Sequence, residues 1–141
     1  MDDPFDLQRF VTAQDAGGTY AAALAELRRG RKTTHWMWFV LPQVAGLGSS
    51  PTAVRYALGS LAEARAYLAH PVLGPRLRET ADVVLHAPAA SAEALLGGID
   101  AAKLRSSMTL FAHADPDDAR YAAVLGRFFG GGEDPATLER L

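Results

Sequence analysis

Apolar residues recur at helical spacing along most of the chain. Tyr20, Ala23, Leu24 and Leu27 follow the i, i+3, i+4, i+7 pattern. Because an α-helix turns once every 3.6 residues, these four positions share one face. The same kind of stripe returns four more times, within residues 7–14, 73–85, 104–111 and 121–128. The pattern predicts an all-α fold of about seven or eight short helices.

Local signals at the helix ends support this prediction. Ser, Thr, Asp and Asn favour helix N-caps, proline favours the first helical turn, and glycine favours helix ends. Predicted starts are Thr19, Ser50-Pro51, Ser60 with Glu63, Asp100, Asp115-Pro116 and Asp134-Pro135, and predicted ends are Gly97-Gly98 and Gly130–Gly132. The connections are short and no linker divides the chain, so we expect one globular domain over residues 1–141.

The segment His35–Leu41 is the most apolar part of the chain and ends at Pro42. It carries apolar side chains on every face, so periodicity does not distinguish a buried strand from two buried helical turns. A small strand pair near Trp36 is therefore the alternative to helix in this region.

Composition narrows the class of protein. The 141 residues are 49% hydrophobic and 21% charged, with a formal charge of −2, which argues against generic, charge-driven nucleic-acid binding. The absence of cysteine excludes disulfides and thiolate catalysis. No apolar run approaches the ~18 residues of a membrane span, and residues 1–4 do not resemble a signal peptide. We expect a cytoplasmic protein without membrane association.

Cations run directly into aromatic residues in the first third of the chain. Arg31 and Lys32, preceded by two further arginines, are followed by His35, Trp36 and Trp38. Cations neutralise phosphate, and an indole stacks on a base for about 1–3 kcal/mol. The pattern predicts binding of a small phosphorylated, planar ligand. In the alternative interpretation, the cations form a solvated helix end and both tryptophans lie in the core.

Other residues extend this candidate site. His35 is a candidate acid–base group or a structural histidine, and Lys103 a candidate nucleophile or anion contact unless its stem merely covers apolar surface. Ser107 lies one helical turn after Lys103, and Arg55 and Tyr56 offer a second cation and ring. Gln43, close to the two indoles in the sequence, is a further candidate ligand-binding residue.

Metal and cofactor binding have little support in the sequence. The four histidines lie 35, 16 and 27 residues apart, without the i, i+4 spacing of a helical zinc site. We therefore expect neither a metal site nor a cofactor.

Longer motifs point to a family. They are Gly30-x-Lys32-x-x-His35-Trp36-Met37-Trp38-Phe39, Pro42-Gln43, Glu63-Ala64-x-Ala66-Tyr67-Leu68-x-His70-Pro71-x-Leu73-Gly74 and Lys103-x-x-Ser106-Ser107-Met108-Thr109-Leu110-Phe111. Over essentially its whole length the chain resembles the bacterial domain-of-unknown-function family 1810, sometimes mislabelled calpastatin. Nothing in it resembles calpastatin repeats, so a protease-inhibitor function is not expected.

A more distant resemblance is to the NADAR family, which acts on N-glycosidic bonds of ADP-ribose-like compounds and riboflavin precursors. The segment from Thr34 to Trp38 is similar to its Glu-His-x-x-Gln-x-x-Lys segment, and Arg105 to Met108 to its Arg-x-x-Met helix. Thr34 replaces the family's glutamate, and Leu41 or Pro42 its lysine. The resemblance implies a nucleotide-shaped pocket without that family's chemistry, unless Lys32 or Lys103 substitutes.

Two functional hypotheses follow. One is an enzyme, an N-glycosidase with His35 and Lys103 as catalytic residues. The other is a non-catalytic module that uses the same residues to bind a phosphorylated ligand or a partner protein. A third, purely structural interpretation assigns all of these residues to packing.

Overall fold

The chain forms helices where the apolar spacing predicts them. The computed structural model describes residues 2–141. Within these residues the α-helices are α1 (Gln8–Asp15), α2 (Thr19–Arg29), α3 (Met37–Val40), α4 (Pro51–Arg55), α5 (Leu61–Ala69), α6 (Leu73–Leu85), α7 (Ala92–Leu96), α8 (Gly98–Ala114), α9 (Arg120–Phe129) and α10 (Pro135–Leu138), with a 3₁₀ turn at Ala16–Gly18. The all-α prediction is confirmed, and single-turn helices α3 and α10 bring the number above the expected seven or eight.

Helix α8 is the centre of the fold. It is the longest helix, and α5, α7, α9 and α10 pack against it. Its Leu104, Met108 and Phe111 are fully buried, as their spacing predicts. The residues that face the core on α8 therefore fix the position of those that its N-terminal turn presents at the surface.

An aromatic chain crosses the core. The ring centroids of Phe10 and Tyr67 lie 5.1 Å apart, those of Tyr67 and Phe111 5.6 Å, and those of Phe111 and Tyr121 5.9 Å. These distances are typical of favourable aromatic pairs. The chain links α1, α5, α8 and α9 into one hydrophobic core.

The apolar segment around Trp36 is helical rather than extended. The amides of Val40 and Leu41 donate to the carbonyl oxygens of Trp36 and Met37, both at 3.1 Å, and close the single turn of α3. The strand-pair alternative is therefore wrong for this segment. The extended pairing among residues 2–141 is one isolated parallel bridge between Val44 and Leu58.

Several predicted caps are confirmed. The hydroxyls of Ser50 and Ser60 accept hydrogen bonds from the amides of Ala53 and Glu63, each at 3.1 Å. A carboxylate oxygen of Asp134 likewise accepts from the Thr137 amide at the start of α10. Each bond satisfies an amide that the first helical turn leaves unpaired.

Three other predicted caps are wrong. The Thr19 side chain donates to the Ala16 carbonyl at 2.6 Å, and Gly18 takes the N-cap position of α2. Asp100 lies inside the first turn of α8. Asp115 ends α8 instead of starting the next helix, since turns occupy residues 116–119 and α9 begins at Arg120.

No helix among residues 2–141 is both long and apolar enough to cross a membrane.

Candidate functional site

Gly30 directs the chain from α2 into the candidate site. Its φ of 86° lies in the left-handed region, and a Cβ there would come within 2.5 Å of the Pro88 carbonyl oxygen. Both constraints favour glycine. Two residues later the Lys32 amide donates to the Leu95 carbonyl at 2.8 Å. This bond fixes Lys32 beside α7, whereas Arg28 and Arg29 form an exposed helix end, as the alternative interpretation predicts.

A buried carboxylate holds the next part of the loop. Glu26, only 3% exposed, accepts hydrogen bonds from the Thr33 and Thr34 amides at 2.7 and 2.9 Å. It also accepts from the Thr34 hydroxyl at 2.5 Å and the Trp36 indole N–H at 3.1 Å. Glu26 is therefore not a solvated residue of the α2 surface; it anchors the loop that carries His35.

These contacts also set the charge state of Glu26. Burial raises its pKa, but the hydrogen bonds from Thr34, Thr33 and Trp36 together outweigh this and lower the pKa to about 2. Glu26 is therefore ionised at neutral pH, and its charge stabilises the loop.

Lys32 and Lys103 meet at one aspartate. The Lys32 ammonium lies 2.9 Å from one carboxylate oxygen of Asp100, and the Lys103 ammonium 3.7 Å from the other. Each lysine also faces an indole: Lys32 lies 5.1 Å from the ring centre of Trp36, and Lys103 4.9 Å from that of Trp38. These distances allow cation–π attraction. Asp100 therefore joins two cations that the sequence places 71 residues apart.

This cluster lines a cavity of about 360 Å³, here called the lysine cleft. Its lining residues are Lys32, His35, Met37, Trp38, Leu96, Gly97, Gly98, Ile99, Asp100 and Lys103. Ile99, which is 78% exposed, adds apolar surface to the cleft wall. The cleft therefore combines cations, an imidazole, an aromatic ring and exposed apolar surface.

Two further cavities share walls with the lysine cleft. A narrow aromatic crevice of about 10 Å³ is lined by Met37, Trp38, Leu41, Gln43, Ala53, Tyr56 and Lys103. An open basic pocket of about 390 Å³ is lined by Arg31, Lys32, Glu93, Ala94, Leu95, Leu96 and Gly97. The shared walls make one surface that runs from Arg31 through the lysines to Tyr56.

Comparison with known proteins agrees with the sequence motifs. A model for the family described as protein of unknown function (DUF1810) matches residues 4–141. The chain belongs to the DUF1810 family. Its fold is similar to the crystal structure of the conserved hypothetical protein Rv1873 from Mycobacterium tuberculosis, with 52% sequence identity and a TM-score of 0.94. The similarity covers 99% of this chain and 98% of that one. No curated protein matches the chain significantly.

The structure of this DUF1810 protein brings together most of the candidate site residues that the sequence analysis named. They line the three connected cavities and are Arg31, Lys32, His35, Trp38, Gln43, Tyr56 and Lys103. His35 and Lys103, the two candidate catalytic residues, line the same cavity.

Three predicted ligand-binding residues lie elsewhere. Trp36 is fully buried, and its N–H is bonded to Glu26, so its ring presents no free face for stacking. Ser107 is fully buried, and its hydroxyl has no protein partner among the described residues. Arg55 is exposed, with its guanidinium 5.5 Å from the Tyr56 ring centre. None of the three lines a cavity of the site, so the structure gives Trp36 and Ser107 packing roles.

Arg105 and Met108, on which the expected resemblance to the NADAR family partly rests, also lie away from the cleft. The Arg105 guanidinium donates to the carbonyl oxygens of Gly132 and Glu133, both at 2.9 Å, and Met108 is fully buried. Arg105 thus fixes the C-terminal loop to α8.

Two residues that organise the site were missed in the sequence. Glu26 lies three residues after Ala23 on the apolar face of α2, and this position was the available signal. Asp100 lies three residues before Lys103, so the same helix turn was foreseeable. The pairing of Asp100 with Lys32 depends on the turn at Gly30, which periodicity does not describe.

Proposed function

We propose that the lysine cleft binds a small phosphorylated ligand that carries a planar group, such as a nucleotide or an ADP-ribose-like compound. The observation that carries this proposal is the convergence of Lys32, Lys103 and Trp38 on one cavity wall. Cations recognise phosphate, and an indole contacts a planar ring.

The charge of the cleft supports an anionic ligand. Lys32 and Lys103 carry two positive charges against the single negative charge of Asp100, and the adjoining basic pocket adds one charge of each sign, from Arg31 and Glu93. The wall also contains Gly97 and Gly98 at the start of α8, and the amides of a first helical turn point outward with partial positive charge. These groups add to the attraction that the lysines exert on phosphate.

The cavity volumes support a position for the planar group. The aromatic crevice has room for about one water molecule, whereas the lysine cleft is within the usual range of small-molecule pockets, about 300–1,000 Å³. The planar group therefore lies in the lysine cleft beside Trp38, with the phosphate toward Lys32 and Lys103.

A thermal-stability panel tests the proposal. It contains ADP-ribose, NAD, purine and pyrimidine monophosphates and riboflavin precursors. A compound at 100 times its dissociation constant stabilises the folded state by about 2.7 kcal/mol, a shift of several degrees for a domain of this size. The shift should vanish in Lys103→Met and persist in Arg29→Met, which removes an exposed cation outside the cleft.

A flat response of the folded wild-type protein to the whole panel would contradict the proposal. The alternative, a module that binds a partner protein, would then become the better explanation of the basic surface. A pull-down that compares the wild-type protein with Lys103→Met would test that alternative.

Hydrolysis of an N-glycosidic bond is the second candidate function. It is favoured by the presence of an imidazole, a carboxylate and an amine, from His35, Asp100 and Lys103, on the walls of one cavity. We expect release of free base or nicotinamide from the compound that binds, and loss of this release in folded His35→Ala and Lys103→Ala. Unchanged turnover in both variants would exclude these residues as catalytic groups.

A further inference from the structure

We propose that Asp100 is a built-in competitor of the ligand: its carboxylate occupies the lysines in the free protein, and an incoming phosphate group must displace it. This inference rests on the proposed function of the lysine cleft. It adds a mechanism that limits which anions bind.

The geometry of the carboxylate carries the inference. Each oxygen of Asp100 faces a different lysine, at 2.9 Å from Lys32 and 3.7 Å from Lys103. A carboxylate shared between two ammonium groups occupies the position at which a phosphate would satisfy the same two donors. The Asp100 side chain is still 19% exposed, so an anion in the cleft can reach this position.

The different contacts of lysines and arginines in this chain also support displacement of Asp100 by a ligand. The chain has twelve arginines and two lysines, and both lysines contact Asp100. Extensive contacts with the backbone are made by arginines: Arg127 donates to four backbone carbonyl oxygens and Arg9 to four others. A lysine ammonium is a compact charge on a flexible stem, whereas the planar guanidinium fork holds one arrangement. Lysines are therefore the residues suited to exchanging one anion for another.

Displacement of an aspartate makes the cleft selective by charge. A pyrophosphate or terminal phosphate group brings more negative charge and more acceptor oxygens than the carboxylate it replaces. A monocarboxylate ligand would gain nothing over Asp100 itself. We therefore expect phosphate monoesters and pyrophosphates to bind, and simple carboxylates not to compete.

The test compares pyrophosphate affinity in wild-type protein, Asp100→Asn and Asp117→Asn by calorimetry. Asp100→Asn removes the competing charge and should bind pyrophosphate about tenfold more tightly. Asp117→Asn is the matched control. It makes the same substitution at an exposed aspartate that lines none of the three cavities and makes no ion pair among residues 2–141. Its affinity should change less than twofold.

The outcomes separate this inference from the proposed function. Equal or weaker binding by folded Asp100→Asn, with wild-type binding that Lys103→Met abolishes, overturns the competitor role and leaves the cleft as a phosphate site. Tighter binding by Asp100→Asn alone supports the competitor role. Failure of both wild-type protein and Asp100→Asn to bind pyrophosphate contradicts both proposals.

A measurement on the wild-type protein decides the question if Asp100→Asn does not fold. In NMR spectra with saturating pyrophosphate, the two lysine ammonium signals should shift. The carboxyl carbon of Asp100 should move toward the value of an exposed aspartate such as Asp117. Shifted lysine signals with an unchanged Asp100 signal would show that the carboxylate stays in place, and so would overturn the inference.

Discussion

The side chain of Glu26 determines the conformation of the loop between α2 and α3. Four hydrogen-bond donors converge on it, from Thr33, Thr34 and Trp36. A buried carboxylate with this many donors is stabilised in its charged form. The loop, and with it His35, depends on this one charge.

Replacement of Glu26 should therefore cost stability in a pH-dependent way. A pKa lowered from 4.5 to about 2 corresponds to about 3 kcal/mol of stabilisation. Because the folded-state pKa is the lower one, this contribution is present above about pH 4.5 and is lost as the pH falls toward 2. We expect Glu26→Gln to lower the free energy of unfolding by about 2–3 kcal/mol at pH 7, measured with denaturant.

Glu93→Gln supplies the control for this experiment, because Glu93 is exposed. It should change stability by less than about 0.5 kcal/mol. The difference between wild type and Glu26→Gln should shrink between pH 5 and pH 2. A difference that stays constant over this range would show that the charge of Glu26 is not responsible.

Two buried tyrosines provide a second test at the scale of single residues. The Tyr121 hydroxyl has no protein partner among the described residues, and burial raises its pKa to about 12. The Tyr67 hydroxyl accepts a hydrogen bond from Gln14 at 3.2 Å. An unpaired buried hydroxyl costs free energy, whereas a paired one contributes about 1 kcal/mol. Tyr121→Phe should leave stability unchanged or raise it by up to about 1 kcal/mol, and Tyr67→Phe should lower it by about 1 kcal/mol.

Thermal or denaturant unfolding of the two variants measures this contrast directly. The ring contacts of each position are kept by phenylalanine, so the hydroxyl is the variable. A larger loss for Tyr121→Phe than for Tyr67→Phe would contradict the assignment of the unpaired group.

At the scale of elements, the residue that follows α2, Gly30, directs the basic segment into the cleft. Gly30 combines a positive φ with close approach to the Pro88 carbonyl oxygen. We expect Gly30→Ala to destabilise the protein by about 2 kcal/mol or more and to weaken ligand binding. The matched control is Gly126→Ala in α9, where nothing lies within 4 Å of the added Cβ. It should stabilise the protein by about 0.5–1 kcal/mol.

Unfolding measurements on both variants check the prediction. Equal stabilities would mean that the turn at Gly30 adapts to a side chain. The position of Lys32 would then not depend on it.

The elements also show which features the sequence determines. Helices α2, α6, α8 and α9 were predictable because each presents an apolar stripe with period 3.6 to the core. Helix α3 was ambiguous because the segment around Trp36 is apolar on all sides. The predicted cap at Asp100 was wrong because α8 already begins at Gly98, which places Asp100 inside the first turn, where its side chain pairs with Lys32.

The candidate site follows the same division. Clustering of cations and aromatics was visible locally, from Arg31 to Trp38 and again at Lys103. The sequence did not show which of the two indoles would remain accessible, because that depends on how α3 packs. Trp36 enters the core, and Trp38 lines the cleft. The sequence also did not show that Ser107, predicted to bind a ligand, would be enclosed. Around Ser107, α8 is buried on most sides.

At the scale of the whole molecule, one helix serves the core and the cleft. The middle of α8 buries Leu104 and Phe111, while its first turns present Asp100 and Lys103 to the cavity. The lysine cleft is thus built on a strongly packed helix, so the proposed exchange of a ligand phosphate for the Asp100 carboxylate requires only side-chain motion. A backbone that is already in place loses little free energy to ordering on binding.

The measurement that tests the central claim most directly is a fluorescence titration with ADP-ribose. The protein has two tryptophans, of which Trp36 is fully buried and Trp38 lines the lysine cleft. We expect a saturable change in emission in wild-type protein, loss of this change in Trp38→Phe, and weaker binding in Lys103→Met. No saturable change with ADP-ribose or any other phosphorylated compound of the panel, or an equal change in Trp38→Phe, would contradict a ligand site in this cleft.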